Sequence, residues 1–145
     1  MKQFITLSAI TLFTLSSQAF ASESSETALK MIPGGKVIQE KTREVMVLTP
    51  NQSTIEVEFK RNGKFEEASG DNLEKDILVP DMGLISLQDA VAFLKKEGKT
   101  PIGEWSLEES LFGNWHYEFE GVEAGKKMDY QVDAKTGKIK SEIDD

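Results

Sequence analysis

The sequence predicts an α+β fold made of two repeated units, each with one helix packed on an antiparallel sheet of three to four strands. Three observations predict it. Apolar residues recur at helical spacing in two places, period-two alternation follows each of them, and the chain resembles itself at a fixed offset. Slid along itself by 62 residues without a gap, it places Ser24 on Ser86, Ala28 on Ala90, Glu56 on Glu118 and Gly63-Lys64 on Gly125-Lys126. Asp71 falls on Asp133 and Ile77 on Ile139. Identities are few, but apolar positions coincide too: Leu29, Met31 and Ile32 fall on Val91, Phe93 and Leu94, and Ile55 and Val57 on Tyr117 and Phe119. Matched residues that share a structural job are what a duplication leaves behind.

Residues 1–21 read as a secretory signal rather than as structure. Lys2 supplies the positive start, Phe4 to Leu15 is apolar apart from Thr and Ser, and Ala19-Phe20-Ala21 is a small-x-small cleavage pattern. The apolar run is shorter than the roughly 20 residues that span hydrocarbon. The predicted organisation is therefore a signal peptide at 1–21, a first unit at 22–80, a linker at 81–85 and a second unit at 86–145. Export implies a periplasmic or secreted protein with no membrane span after cleavage.

In the first unit Ser24 or Ser25 is the expected helix cap, and Ala28, Leu29 and Ile32 form the apolar face. Pro33-Gly34-Gly35 ends the helix, because Pro lacks the N–H and Gly suits the turn. Val45 and Val47 mark one strand; Ile55, Val57 and Phe59 mark the next. Asn62-Gly63 is a hairpin signal. Phe65 to Ser69 is a weaker strand, and Ile77 and Val79 are expected to close the unit. Pro80-Asp81-Met82-Gly83 is a joint too short for free domain motion.

The second unit opens with Ser86 as cap and Asp89 three residues on, in a capping-box arrangement. Leu87, Ala90, Val91 and Leu94 make its apolar face, and Gly98 ends the helix. Trp105 and Leu107 belong to a strand joined through Gly113-Asn114 to Trp115. Trp115, Tyr117 and Phe119 then alternate with His116, Glu118 and Glu120, aromatics inward and charges outward. Met128, Tyr130 and Val132 alternate in the following strand. Asp133 to Gly137 is turn chemistry, and Ile139 and Ile143 mark the last strand. A unit of ~60 residues without disulfides buries too little surface to be secure alone. The two units are thus expected to share packing, docked side by side or with their sheets joined edge to edge.

Composition narrows the function. The chain has 145 residues, 17 Lys+Arg against 25 Asp+Glu, one His, no Cys and a net charge of −8. No disulfide framework, thiolate metal site or cysteine nucleophile is available. An acidic surface repels phosphate backbones, so nucleic acid is not an expected partner. Neither a Ser/His/Asp arrangement nor a Gly-rich phosphate loop occurs.

The stretch Tyr130 to Ile139, YQVDAKTGKI, closely resembles the closing signature of PepSY domains: a Tyr-x-Val strand, then Asp-Ala-x-Thr-Gly, then a charged and an aliphatic residue. Trp115-His116-Tyr117-Glu118-Phe119 looks like the family's preceding strand, and Leu87 to Leu94 like its opening helix. The resemblance covers roughly residues 86–143. The first half matches in outline only; Asn72-Leu73-Glu74-Lys75 follows Asp71 where Ala-Lys-Thr-Gly follows Asp133, so the first copy is degenerate. The resemblance implies one helix against an antiparallel sheet. It also implies a role in inhibiting or regulating peptidases, since such domains occur in propeptides of thermolysin-like metalloproteases and in exported bacterial proteins. A tandem pair resembles in architecture the β-lactamase inhibitor proteins, whose two helix-plus-sheet repeats present a concave sheet to an enzyme. The signature residues themselves look structural.

Among candidate sites, Leu111-Phe112-Gly113-Asn114-Trp115 is the most informative. Apolar side chains at a hairpin tip are covered either by a partner or by the other half. Leu111, Phe112 and Trp115 are accordingly the expected partner-binding residues, with packing between the halves as the alternative for Phe112 and Trp115. Trp105 is assigned to the core. His116 is expected as a solvated cross-strand partner of a carboxylate. Asp71, Asn72, Glu74 and Asp76 are read as a solvated turn, because calcium-loop spacing is absent. The resulting expectation is an exported, non-enzymatic protein without a cofactor that blocks an extracytoplasmic peptidase sterically. The alternative is a cell-envelope accessory binding a small ligand or cation, which predicts a closed pocket or the carboxylates of Asp71, Glu74 and Asp76 converging on one point.

Overall fold

Period-two alternation gives each strand one apolar and one polar side, and strand pairing carries that division across the molecule. The computed structural model describes residues 22–144; the expected signal segment lies outside them. Helix α1 (Glu23–Met31) is followed by strands β1 (Lys36–Lys41), β2 (Glu44–Leu48), β3 (Thr54–Phe59) and β4 (Phe65–Gly70). Helix α2 (Leu87–Lys96) is followed by β5 (Pro101–Glu109), β6 (Trp115–Glu123), β7 (Lys126–Asp133) and β8 (Ile139–Ile143). All eight strands form one antiparallel sheet in sequence order. Helix-then-four-strands thus occurs twice, and β4 pairs with β5 so that the sheet runs on without a break.

Register shows why this sheet is stable. One row reads Val45, Val57, Ala68, Leu107, Tyr117, Val132, Ile139 from β2 to β8. A second reads Val47, Ile55, Gly70, Trp105, Phe119, Tyr130. Apart from Gly70 these residues face the helices and join Ala28, Ile32, Leu87, Ala90 and Leu94 in a single core. Burying one such large side chain contributes about 1.5–3 kcal/mol relative to exposure. Phe65 of β4 stacks on Trp115 of β6 with ring centroids 5.0 Å apart, so aromatic packing also crosses from one half to the other.

The helices form where their caps and faces require. Ser86 Oγ accepts the Asp89 N–H at 3.1 Å, as the capping pattern predicts, and Gly98 follows the helix with φ +76°. The first cap is Ser22, whose Oγ accepts the Ser25 N–H. Ser25, expected as a possible cap, lies instead within α1, buried, with its hydroxyl donating to Glu40 on β1 at 2.9 Å.

Three further expectations change. Ile77 and Val79 do not form a strand. Residues 71–86 make an irregular strap that donates from the Val79 N–H to the Met31 carbonyl and accepts at the Leu78 carbonyl from Leu87. Leu78, not its neighbours, is the fully buried side chain. Strand β1 is additional; as an exposed edge strand it carries no clean alternation. The gapless offset is also out by one strand. It lays Ile55 and Val57 on Tyr117 and Phe119, but the former lie in the third strand of their half and the latter in the second of theirs. Longer strands β5 and β6 displace everything after them, so Asp71 does not occupy the position of Asp133.

At the seam between halves a buried carboxylate replaces the missing side chain of Gly70. Asp76, almost fully buried, accepts from Trp105 Nε1 at 2.7 Å, from the Asn72 N–H at 3.1 Å and from the Ser53 hydroxyl. Its backbone carbonyl accepts from Gln88 Nε2. The expected solvated turn is therefore, at Asp76, a buried tie between first-half Ser53 and second-half Trp105. Burial holds the Asp76 carboxyl above its ordinary range, against the Trp105 and Asn72 hydrogen bonds. A Cβ on Gly70 would come within 2.3 Å of Asp76 Oδ2 and 2.7 Å of Trp105 Nε1.

Gly70→Ala should thus cost about 1–3 kcal/mol by overpacking. Asp76→Ala should cost about 1–3 kcal/mol by stranding buried donors. Asp76→Asn should be milder, because its amide oxygen accepts from Trp105 and Asn72 while its NH2 donates to Ser53. Denaturant unfolding followed by tryptophan fluorescence reads all three; equal midpoints for Asp76→Ala and the wild type would show the seam is not held this way.

Candidate binding surface

Two surfaces stand out: the tip of the β5–β6 hairpin and the side of the sheet away from the helices. At the tip, Ser110–Asn114 closes tightly, with the Ser110 N–H donating to Asn114 O at 2.8 Å and Gly113 at φ +79°. Phe112 is 91% exposed and Leu111 entirely so. Neither packs between the halves. Trp115 does: it is 8% exposed and lies against Phe65, so it braces the hairpin from below and does not itself offer a contact face. The structure thus separates the three predicted residues into two apolar side chains in solvent and one interior support. Lys60 near the β3–β4 turn donates to Glu109 at 2.6 Å, anchoring the hairpin base to the first half. Trp105 is core, as expected.

The helix-free side is acidic across both halves. Nearest the tip, one row runs Glu44, Glu58, Glu67, Glu108, His116, Asp133 from β2 to β7. The next runs Met46, Glu56, Ser69, Ser106, Glu118, Gln131, Lys140 from β2 to β8. Beyond it Glu120, Asp129 and Glu142 stand opposite one another. The sheet curls around this side to form an open trough of about 620 Å³. Its carboxylates are Glu56, Glu67, Asp71, Glu104, Glu118, Glu120, Asp129 and Glu142, with Lys140 as the one lining cation among the described residues. This is a trough on the bare side of the sheet, not a closed pocket between sheet and helix.

His116 sits half-buried among these acids, its Nε2 3.4 Å from Glu108 and 3.1 Å from Glu118. Glu118 also accepts from Gln131 Nε2 at 3.0 Å. The ligand atoms of Glu108, His116 and Glu118 lie within 4.8 Å of one another, close enough to share a cation. Asp71, Glu74 and Asp76 do not converge, because Asp76 turns into the seam.

Burial and, after it, neighbouring charge shift the carboxyls of this side. Burial first, then the charges of Glu44 and Glu58, hold Glu56 above the ordinary range. Burial, then Glu108 and Glu58, do the same for Glu67. Burial and Glu118 raise Glu108, opposed by His116. By contrast Asp133, hydrogen-bonded by the Thr136 and Lys135 N–H groups in the β7–β8 turn, is lowered. That turn is structural, as the sequence pattern suggests: Gly137 takes φ +75° and lies under the Phe93 ring. The sequence shows the acids of each strand but not that strand pairing stacks them in rows; alternation of Glu56 with Glu58, and of Glu118 with Glu120, is the signal that contained it.

Residues 84–142 match the PepSY family model, described as peptidase propeptide and YPEB domain. The match takes in α2, the hairpin tip and the β7–β8 turn. Such domains are generally non-catalytic, propeptide- or inhibitor-like and typically extracytoplasmic. No curated protein and no solved structure matches the chain. Among the described residues no helix is long and apolar enough to cross a membrane.

A carboxyl raised in the folded state takes up its proton before the unfolded chain does. Its ionisation therefore subtracts stability, a loss absent below the unfolded range and growing as pH rises through the folded value. Glu67→Gln should raise stability at neutral pH by about 0.2–1 kcal/mol, the scale of opposed cross-strand charges. The gain should fade as the pH drops below the carboxylate range. Thermal unfolding across mildly acidic to neutral pH checks this; a pH-independent gain would assign the effect to packing instead.

Proposed function

We propose that the chain is an exported, non-enzymatic binding protein that modulates an extracytoplasmic peptidase by steric occupation. The observation that carries this reading is an exposed apolar tip, Leu111-Phe112, on a braced hairpin inside a segment matching the peptidase propeptide family. An aromatic residue held out by a rigid β-hairpin loses little freedom on binding, and one such anchor can supply much of an interface's energy. The mechanism requires no chemistry from this chain. Phe112 enters the partner's cleft, Leu111 widens the contact, and Trp115 stacked on Phe65 keeps the hairpin from bending away. Acidic surface steers encounter with a basic partner and makes the association rate sensitive to salt.

In this proposal residues 1–21 are a cleaved signal, and 22–80 is a diverged copy of 86–145 joined by 81–85. The repeated order of one helix and four strands supports a duplication, with insertions that lengthened β5 and β6. A bare, curled sheet side opposite two helices also fits the expected architectural likeness to β-lactamase inhibitor proteins. The alternative, a cation-binding envelope accessory, has one observation in its favour: the Glu108, His116, Glu118 grouping. Zinc-dependent thermal stabilisation that disappears in His116→Ala would favour it.

The test is functional capture. The mature chain, added to an envelope extract, should retain a peptidase and lower that peptidase's turnover of a peptide substrate. Phe112→Ala should weaken inhibition by about tenfold or more, the scale of a lost aromatic anchor, with an unchanged melting temperature. Inhibition that is equal in wild type and Phe112→Ala would contradict the tip mechanism, and a captured peptidase whose activity is unaffected would contradict the role.

A further inference from the structure

We propose that the acidic trough on the helix-free side of the sheet binds an extended, lysine- and arginine-rich polypeptide segment of a partner. This inference goes beyond the peptidase reading and uses a different surface from the hairpin tip.

Charge complementarity identifies the occupant. Carboxylates come from strands of both halves, Glu56 and Glu67 on one side of the seam and Glu118, Glu120 and Asp129 on the other. They are spread across neighbouring strands, which lie about 4.8 Å apart. No single ion can engage charges spaced over that width, whereas a chain carrying several cationic side chains can. Between the acids lie neutral groups, Ser69 and Ser106 opposite one another with Gln131 further on, that can hydrogen-bond a peptide backbone. The same negative charge repels phosphate backbones and anionic lipid, so neither a nucleic acid nor a membrane surface fits.

Stability gives a second, independent argument. Ordinary sheets pair unlike charges across strands, and like charges directly opposite are destabilising. Here Glu58 faces Glu67 and Glu67 faces Glu108 without an intervening cation, while Glu44, opposite Glu58, is paired with Lys41 at 3.1 Å at the sheet edge. Burial first, and neighbouring carboxylates after it, hold the carboxyls of Glu56, Glu67 and Glu108 above their ordinary range, so part of that shift comes from this repulsion. A cationic segment laid along the trough relieves it, so binding draws on repulsion already present in the free protein.

The experiment uses the mature full chain and a short synthetic peptide of alternating lysine and serine, titrated calorimetrically at low and at physiological ionic strength. Wild type should bind, more weakly as salt rises. Glu67→Gln/Glu118→Gln/Glu120→Gln should weaken binding by about tenfold or more. A charge-matched control on exposed acids outside the trough, Glu74→Gln/Asp81→Asn/Glu97→Gln, should change it by less than about twofold. Phe112→Ala should leave it unchanged, which separates this proposal from the peptidase mechanism. Amide shifts on addition of the peptide should map to the outward residues of β3–β7. Equal weakening by both triple variants would reduce the effect to net charge and overturn the proposal. Absence of peptide binding would overturn it as well, as would zinc alone stabilising the protein and blocking the peptide through Glu108, His116 and Glu118.

Discussion

Everything in this molecule depends on a sheet that does not stop at the middle of the chain. Neither half has enough core to be secure by itself, and β4 and β5 would each be an open edge if the halves were apart. Their pairing removes both edges and lets apolar rows run from β2 to β8 beneath two helices. The seam is where such a sheet is weakest, because two chain segments with no local connection must meet there. Gly70 leaves room, Trp105 fills it from the second half, and Asp76 accepts hydrogen bonds from both sides of the join. A polar tie at this point specifies one register, since shifting β4 against β5 by a residue would bring a side chain into the Asp76 carboxylate and turn every row over.

That single sheet also produces both candidate surfaces. Among the described residues the helices occupy one side, and the other carries the trough. Acids confined to that side share strand rows and repel one another. The longer second-half strands project the β5–β6 hairpin, and Phe65 stacked on Trp115 stiffens its base. An exposed apolar point thus stands on the same sheet as an acidic hollow. The carboxyls held above their ordinary range on β3, β4 and β5 cost stability in the isolated protein. Surfaces that work against their own fold are expected where function demands them.

Much of this was legible in the residues. Ser86 with Asp89, the Trp115–Phe119 alternation and the Asp133–Gly137 turn each carry a local physical signature, and each formed as expected. Legibility ended where the deciding contact was remote in sequence. Asp76 looks like any turn acid, because nothing nearby says that Ser53 and Trp105 will close over it. Ile77 and Val79 have strand chemistry, yet the strap between the helices buries Leu78 instead. Lys36–Lys41 pairs as an edge strand with little buried side and so leaves no pattern. Few identities and a gapless offset aligned the two helices but not the strands that follow, since hairpins of unequal length shift the later strands relative to the earlier ones. The tip residues were visible as an oddity; only the fold shows that Phe112 stands in solvent while Trp115, three residues on, is interior.

The central claim is that the two halves fold as one sheet held at the β4–β5 seam, and native-state amide hydrogen exchange addresses it directly. Amides bonded across that seam, in Glu67–Gly70 and Trp105–Glu108, should exchange only by global unfolding, with the same protection as the inner strands β3 and β6. Exchange at the seam through a separate opening, at a free energy well below that of β3 and β6, would mean two docked units and contradict the account.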